Sequence, residues 1–302
     1  MLALAASDHG FTTLRAIVLG ALQGLSELFP ISSLGHTVLF PTLFGWHRIV
    51  AFQSRPESPW LAFIVMLHVG SAIGLLIYFW RDWAALIRAF LHTLAKRRIE
   101  TPTERLIWLI IVASIPTGLL GLAFEHAARV ATSRPEIAAI FLIVNGVVLL
   151  AAQQLRRRAA LRALARRERG ERRRGRPLEA LSYGEAALLG VAQSGGLIAG
   201  ISRDGMVMAT GLARGLGNAS AARLSFLMAT PIILAAGLYK IPDLTGPNGN
   251  GIRGAAALAA LVAAVVSILT VHFLTRYFQR RNLVPFALYC LAFGAAMVAY
   301  TA

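Results

Sequence analysis

Charge is scarce in this chain and negative charge scarcer still: Asp, Glu, Lys and Arg make up 15% of its 302 residues, with fourteen acidic residues against thirty basic ones. A water-soluble enzyme is excluded, because 57% of the chain is hydrophobic and the mean hydropathy is +0.64. Cysteine is nearly absent. Cys290 stands alone in an apolar stretch, so no internal disulfide exists and the redox compartment is not encoded. The first thirty residues are apolar, but Met1 to Gly10 lacks a positive n-region and includes Asp8, so a cleaved secretory signal is not expected.

The charge that is present is concentrated. Eleven Arg and two Glu (Glu168, Glu171) lie between Arg156 and Arg176, giving this segment +9 of the chain's formal +16. A nucleic acid could meet such a run. Its apolar flanks instead make it a cytoplasmic loop under the positive-inside rule, and no nucleic-acid partner is expected.

Six stretches of roughly twenty apolar residues are long enough to cross a bilayer: 61–80, 105–124, 136–155, 220–240, 254–275 and 283–301. Alternate connections are basic. Segment 81–105 carries Arg81, Arg88, Lys96, Arg97, Arg98 and Arg105, and 276–281 carries Arg276, Arg280 and Arg281, whereas the opposite set holds Arg129, Arg134, Lys240 and Arg253. The basic set is expected in the cytoplasm, which makes both termini extracytoplasmic. Arg214 and Arg223 fall near the cytoplasmic interface by the same count.

Two further apolar segments, 11–46 and 184–217, are interrupted by Pro, Gly and polar residues and read as re-entrant helix pairs. Irregular backbone at membrane depth survives where it is buried in protein or lines a wet cavity, so each break points to a site. The two segments also match each other at an offset of 170. Leu19, Gly20, Gln23, Ile31, Ser32 and Gly35 correspond to Leu189, Gly190, Gln193, Ile201, Ser202 and Gly205. Each copy precedes three spans, an odd number, so the second copy enters from the opposite face. The expectation is an all-α polytopic membrane protein: six transmembrane helices plus two re-entrant helix pairs, in an inverted-topology repeat of 11–155 and 184–301 joined by the basic loop 156–176, within one membrane domain.

Chemistry gathers in the two breaks. Gln23 and Glu27, four apart, share a helical face and offer oxygens to a divalent cation or a hydroxyl. Pro30 stops that helix, and Ser32 or Ser33 can cap the next, aiming free N–H groups and a positive dipole end at an anion. His36, one turn after Ser33, is read on the same face as a general acid or base. In the second break, Ala199-Gly200-Ile201-Ser202-Arg203-Asp204-Gly205, a guanidinium in the apolar zone marks a functional partner, and its planar fork fits phosphate. A structural ion pair of Arg203 with Asp204 or Glu27 is the alternative. His68 and His272, inside spans, read as bundle-facing hydrogen-bonders rather than catalysts, and Asn145 as an interhelical hydrogen bond.

The pair GLSELFPISSLGH and AGISRDG resembles the undecaprenyl pyrophosphate phosphatase family, also called the bacitracin-resistance family, in which an E/Q-x-x-x-E helix and a PG-x-SR segment form the site. The resemblance covers nearly the whole chain. It implies Glu27, Ser33, His36 and Arg203 as catalytic residues, with Ser202 beside the Arg, and Gln23 with Glu27 as ligands of a divalent cation, Mg2+ or Ca2+. Ser32, Ser202, Gly200 and Asp204 are read as the phosphate-binding set, in which the Asp204 charge either recruits metal or repels the diphosphate. Three positions depart from the family pattern: Ala199 stands where Pro is usual, Asp204 where a second Ser is usual, and Val207 where Thr is usual.

The expected reaction is hydrolysis of a polyprenyl diphosphate to the monophosphate in a bacterial inner membrane, from a cavity opening to the extracytoplasmic face. The C55 length of the lipid is implied by the resemblance alone. Either Ser33 or a water is the nucleophile. The rival is a polyprenyl-phosphate transporter or flippase, because inverted repeats with broken helices also build transporters. A homodimer is compatible with the sequence, which does not require one.

Overall fold

The computed structural model describes residues 12–46, 49–50, 59–132, 134–168, 176–239 and 251–301. They are helical, with no strand among the described residues. The order is α1 (Thr13–Ser26), α2 (Ser33–Leu43), α3 (Pro59–Tyr78), α4 (Trp80–Lys96), α5 (Pro102–Thr132), α6 (Pro135–Glu168), α7 (Tyr183–Gln193), α8 (Arg203–Ala213), α9 (Asn218–Tyr239), α10 (Arg253–Arg280) and α11 (Val284–Thr301). Five of these (α5, α6, α9, α10 and α11) are long and apolar enough to cross a membrane by themselves; α3 with α4, bent by 82° between them, makes the sixth candidate.

Both expected breaks are present. The pairs α1/α2 and α7/α8 consist of helices of 14, 11, 11 and 11 residues, too short to cross alone at 1.5 Å per residue. Ser32 caps α2 by accepting from Gly35 N–H at 3.2 Å, and Ser202 caps α8 by accepting from Gly205 N–H at 3.0 Å. The same serine and glycine of the repeat thus make the same cap twice. The matched glycines also behave alike. A side chain at Gly20 would collide with the Ala259 backbone of α10, and one at Gly190 with the Ala113 backbone of α5. Helix α1 therefore lies against α10 and α7 against α5, where glycine lets the backbones approach.

Two connections differ from expectation. Segment 81–105 is not a loop, because most of it is α4, held by apolar side chains at helical spacing. The 156–176 segment is helical as far as Glu168, since α6 runs on through Ala, Leu and Arg, all good helix formers, with no Gly or Pro before Gly170. Arg169, Glu171 and the run Arg172–Arg174 lie outside the described residues, as does Lys240.

The basic segments converge on one end of the bundle. Arg105 donates to the carbonyls of Glu179 (2.5 Å) and Leu181 (3.0 Å), Arg176 to the Arg214 carbonyl (2.9 Å), Asn218 to the Arg281 carbonyl (2.8 Å), and Arg223 on α9 to Asp82 on α4. Arg214 and Arg223 lie at that same end.

Candidate active site

Glu27, in the turn after α1, is 6% exposed and gathers the polar side chains of both breaks. Its Oε2 accepts from Gln23 Nε2 at 3.0 Å and, through a short hydrogen bond, from the Ser33 hydroxyl. Its Oε1 accepts from Arg203 Nη2 at 2.8 Å, so residues 176 positions apart share one carboxylate. Arg203 Nη2 also stands 3.2 Å from Asp204 Oδ1. The Arg203 Nη1 amino group is buried and has no partner, and neither has Gln23 Oε1. A buried donor left unpaired beside a cavity calls for a ligand.

That cavity holds about 710 Å3 and is lined mainly by apolar side chains. Glu27, Ser32, Ser33, Ser202 and Arg203 line it, and it extends along α3 from His68 to Trp60, along α5 from Thr117 to Leu122 and along α9 from Ile232 to Tyr239. Eight residues of helix from His68 to Trp60 span about 12 Å. The shape is a greasy channel with its polar groups gathered along one stretch, suited to a lipid that carries a phosphorylated head.

Asn145 of α6 ties the two breaks together. Its Nδ2 donates to the Pro30 carbonyl at 2.9 Å, and its Oδ1 accepts from Ser202 N–H at 3.0 Å. Both backbone partners have fixed roles, so the amide can adopt only this orientation. Ser32, at φ 71°, adds a second tie by accepting from Gly200 N–H at 3.1 Å, while Gly200 itself sits at φ 101°. Gly200 is wedged against the α6 backbone, where a side chain would overlap Ala138.

The structure brings Gln23, Glu27, Ser33 and Arg203 together, with Asp204 against Arg203, while His36, Gly200 and Asp204 do not line the cavity. His36 is 1% exposed and outside the cavity lining; its Nδ1 is 2.7 Å from the Ser32 carbonyl and its Nε2 2.8 Å from the Tyr289 hydroxyl, with Tyr289 and Phe293 stacked on the ring. Three residues of helix is about 60° short of a full turn, enough to carry His36 from Ser33's face toward α11. Gly200 spends its N–H on Ser32. Asp204 is fully buried beside Arg203 and does not line the cavity.

In their place the structure supplies His68 and Gln193. His68 Nδ1 lies 2.9 Å from the Ile64 carbonyl, which only accepts, so Nε2 faces Glu27 Oε2 at 3.4 Å. Gln193 donates to Thr117 Oγ1 at 3.1 Å and leaves Oε1 buried and unpaired. Gln193 was legible as the repeat partner of Gln23. His68 had no local pattern to reveal it.

Among the described residues no three His, Cys, Asp or Glu side chains group to hold a metal. The donors at hand, Glu27 carboxylate and the unpaired Gln23 Oε1, are hard oxygens, the kind Mg2+ or Ca2+ takes when substrate oxygens complete the shell.

Comparison with known proteins bears on this arrangement. The family model described as bacitracin resistance protein BacA matches residues 16–296. A Frankia alni protein named undecaprenyl-diphosphatase 2 is 47% identical over 333 aligned residues, covering 95% of this chain and 97% of its own. The undecaprenyl-diphosphatase of Mycolicibacterium paratuberculosis is 48% identical over 296, with 95% and 97% covered, and that of Acidiphilium cryptum 40% identical over 289, with 94% and 96% covered.

Proposed function

Because this chain belongs to the bacitracin resistance protein BacA family, we infer that it is an integral-membrane phosphatase. It hydrolyses undecaprenyl diphosphate to the monophosphate and inorganic phosphate, and so recycles the cell-wall lipid carrier. The observation that carries the site assignment is the unpaired, buried Nη1 of Arg203 beside a Ser33 hydroxyl whose proton is already directed at Glu27. The transporter reading draws nothing from the three relatives, each named for hydrolysis.

The chemistry follows from donors and acceptors. Arg203 holds the terminal phosphoryl group through Nη1 while Nη2 stays on Glu27. Ser33 Oγ attacks the terminal phosphorus as its proton passes to Glu27, and the bond from phosphorus to the bridging oxygen breaks, releasing the lipid monophosphate. Glu27 hands that proton to the departing bridging oxygen and, a carboxylate again, takes one from the water that attacks the phosphoserine phosphorus. The bond from phosphorus to Ser33 Oγ breaks, the serine oxygen recovers the proton from Glu27, and phosphate leaves. Gln23 fixes the Glu27 rotamer from the next helical turn. Glu27 and Gln23 Oε1, with phosphate oxygens, are the groups to hold a divalent cation, which would neutralise diphosphate charge.

The two halves, 11–155 and 184–301, form an inverted-topology repeat, a reading supported by the matched serine caps and by the crossed packing of Gly20 and Gly190. The cavity lining extends toward the N-terminal end of α3 and the C-terminal end of α9, away from the basic end of the bundle, which supports an opening on the extracytoplasmic side of a bacterial inner membrane if the basic end is cytoplasmic.

The decisive experiment is phosphate release from undecaprenyl diphosphate by detergent-purified protein, with and without chelator. Stoichiometric phosphate and lipid monophosphate are expected. Tight lipid binding with no release under any divalent cation would overturn the assignment.

A further inference from the structure

Helix α4 has three faces of different character: one buried, one exposed and apolar, one exposed and basic. At 100° per residue, Leu86 and Thr93 fall on one narrow arc, both buried. This arc is pinned to the protein. Trp108 Nε1 of α5 donates to Thr93 Oγ1 at 3.1 Å, the Phe90 and Trp108 rings lie 5.5 Å apart, and Arg223 of α9 holds Asp82. Trp80, Ile87, Leu91 and Leu94 occupy a second arc of about 60° and are 59%, 52%, 58% and 52% exposed. Arg81, Arg88 and Lys96 occupy the third, all exposed. The arcs are centred about 120° apart.

A helix wholly in water has no use for the second arc, and a helix crossing the bilayer cannot carry the third. The 82° bend from α3 turns α4 out of the direction of a span, and the basic residues sit at the end of the bundle where the other basic segments converge. Protein on one side, acyl chains on the second and charged headgroups on the third is the setting that fits all three. Arg81 lies over the Trp80 ring at 5.3 Å, joining the apolar and basic arcs through an indole suited to headgroup depth. The one acidic residue of α4, Asp82, is taken by Arg223, and the Glu104 carboxylate of α5 that reaches this arc is held by His92 at 2.8 Å, which leaves Arg81, Arg88 and Lys96 without an acidic partner on the helix itself. Arg97 and Arg98 follow directly and extend it.

We propose that α4 is an in-plane interfacial helix whose Arg81, Arg88 and Lys96 hold anionic phospholipid headgroups of the leaflet at the basic end of the bundle. This goes beyond the phosphatase assignment and does not depend on it. The bound headgroups fix the depth of the bundle where α3, α5 and α9 meet α4.

The test uses full-length protein carrying Cys290→Ser in nanodiscs. A spin label on Leu91→Cys is expected to collide with oxygen and be shielded from a water-soluble nickel chelate, and one on Arg88→Cys to behave in reverse. A fluorophore on the exposed Ala95→Cys, next to the basic arc, should be quenched by brominated phosphatidylglycerol in preference to brominated phosphatidylcholine. Each charge in contact contributes a preference of roughly fivefold. That preference should vanish in Arg81→Gln/Arg88→Gln/Lys96→Gln, whose retained phosphate release in detergent shows that it is folded. A label at 91 open to nickel, or closed to both probes as in a contact with another protein or a second copy, overturns the proposal. So does an undiminished phosphatidylglycerol preference in the triple variant.

Discussion

Arg203 divides its guanidinium between two tasks: Nη2 is committed to Glu27 and Nη1 is held in reserve. A lysine there keeps the positive charge beside Glu27 and Asp204 but has one nitrogen for both tasks. Arg203→Lys is therefore expected to fold and to lose turnover by about a hundredfold or more, the scale of one lost transition-state donor. Wild-type turnover in a well-folded Arg203→Lys protein would remove Arg203 from the reaction. Asn145 acts at one remove. Asn145→Leu leaves the Ser202 N–H buried without its partner, at about 1–3 kcal/mol, and the Pro30 carbonyl with only the long Cys290 thiol contact, and frees the two breaks to shift. Turnover should fall roughly tenfold to a hundredfold with little change in KM. Combined with Arg203→Lys, the losses should be less than additive, because both act through the placement of one guanidinium. Strict additivity would mean that Asn145 serves folding alone. At this scale the sequence yielded Gln23 and Glu27 by spacing and Arg203 by its cost in lipid, while the place after Pro30 left Ser32 and Ser33 open and only the family resemblance chose Ser33. His68 and His36 exchanged places relative to the cavity, because a single imidazole on a helix carries no pattern and which element it faces is settled by tertiary packing, against Glu27 for His68 and against Tyr289 for His36.

At the scale of elements, α7 depends on a clamp at its first turn. Glu185 completes a capping box with Ser182, accepts from Arg176 through both oxygens (2.7 and 2.6 Å) and from Arg214 at 2.9 Å. The Arg176 hydrogen bonds, then the Ser182 backbone N–H, hold the Glu185 carboxyl well below the usual carboxylate range. A carboxyl depressed in the folded state adds stability above its ordinary value near 4.3 and loses it as the pH falls toward the depressed value. Arg176→Ala should thus lower Tm by roughly 2–4 °C at pH 6, with a deficit that narrows between pH 5 and 3. A deficit constant over that range would show that the clamp is not ionic. Long apolar helices were readable because twenty-residue runs have one explanation in a bilayer. Helix α4 was passed over because its charges matched a loop, although Trp80, Ile87, Leu91 and Leu94 already lay at helical spacing. The extension of α6 was hidden in the same way, by arginines that mark a side of the membrane without breaking a helix.

For the whole molecule, sidedness is a proposal that joins one rule to one piece of geometry. The positive-inside rule assigns the basic segments to the cytoplasm, and the hydrogen bonds of Arg105, Arg176, Asn218 and Arg223 gather those segments at one end. The cavity lining extends the other way, along α3 to Trp60 and along α9 to Tyr239. The geometry gives the relation of cavity to basic end, and the charge rule alone gives the side. The sequence supplied the alternation of charge and the 170-residue offset, but the direction of the cavity depends on which helices the broken pairs leave apart, and no local pattern encodes that. If the rule and the geometry both hold, a diphosphate lipid enters from the leaflet facing away from the arginines, and the polar cluster is reached from outside. Single cysteines at the exposed positions Val130 and Ala160, each in a Cys290→Ser background, separate the alternatives in intact cells. An impermeant thiol reagent should label Val130→Cys at once and Ala160→Cys only after the membrane is opened. The reverse order would turn the molecule over in the bilayer, place the cavity mouth in the cytoplasm, and require the substrate to arrive from the inner leaflet.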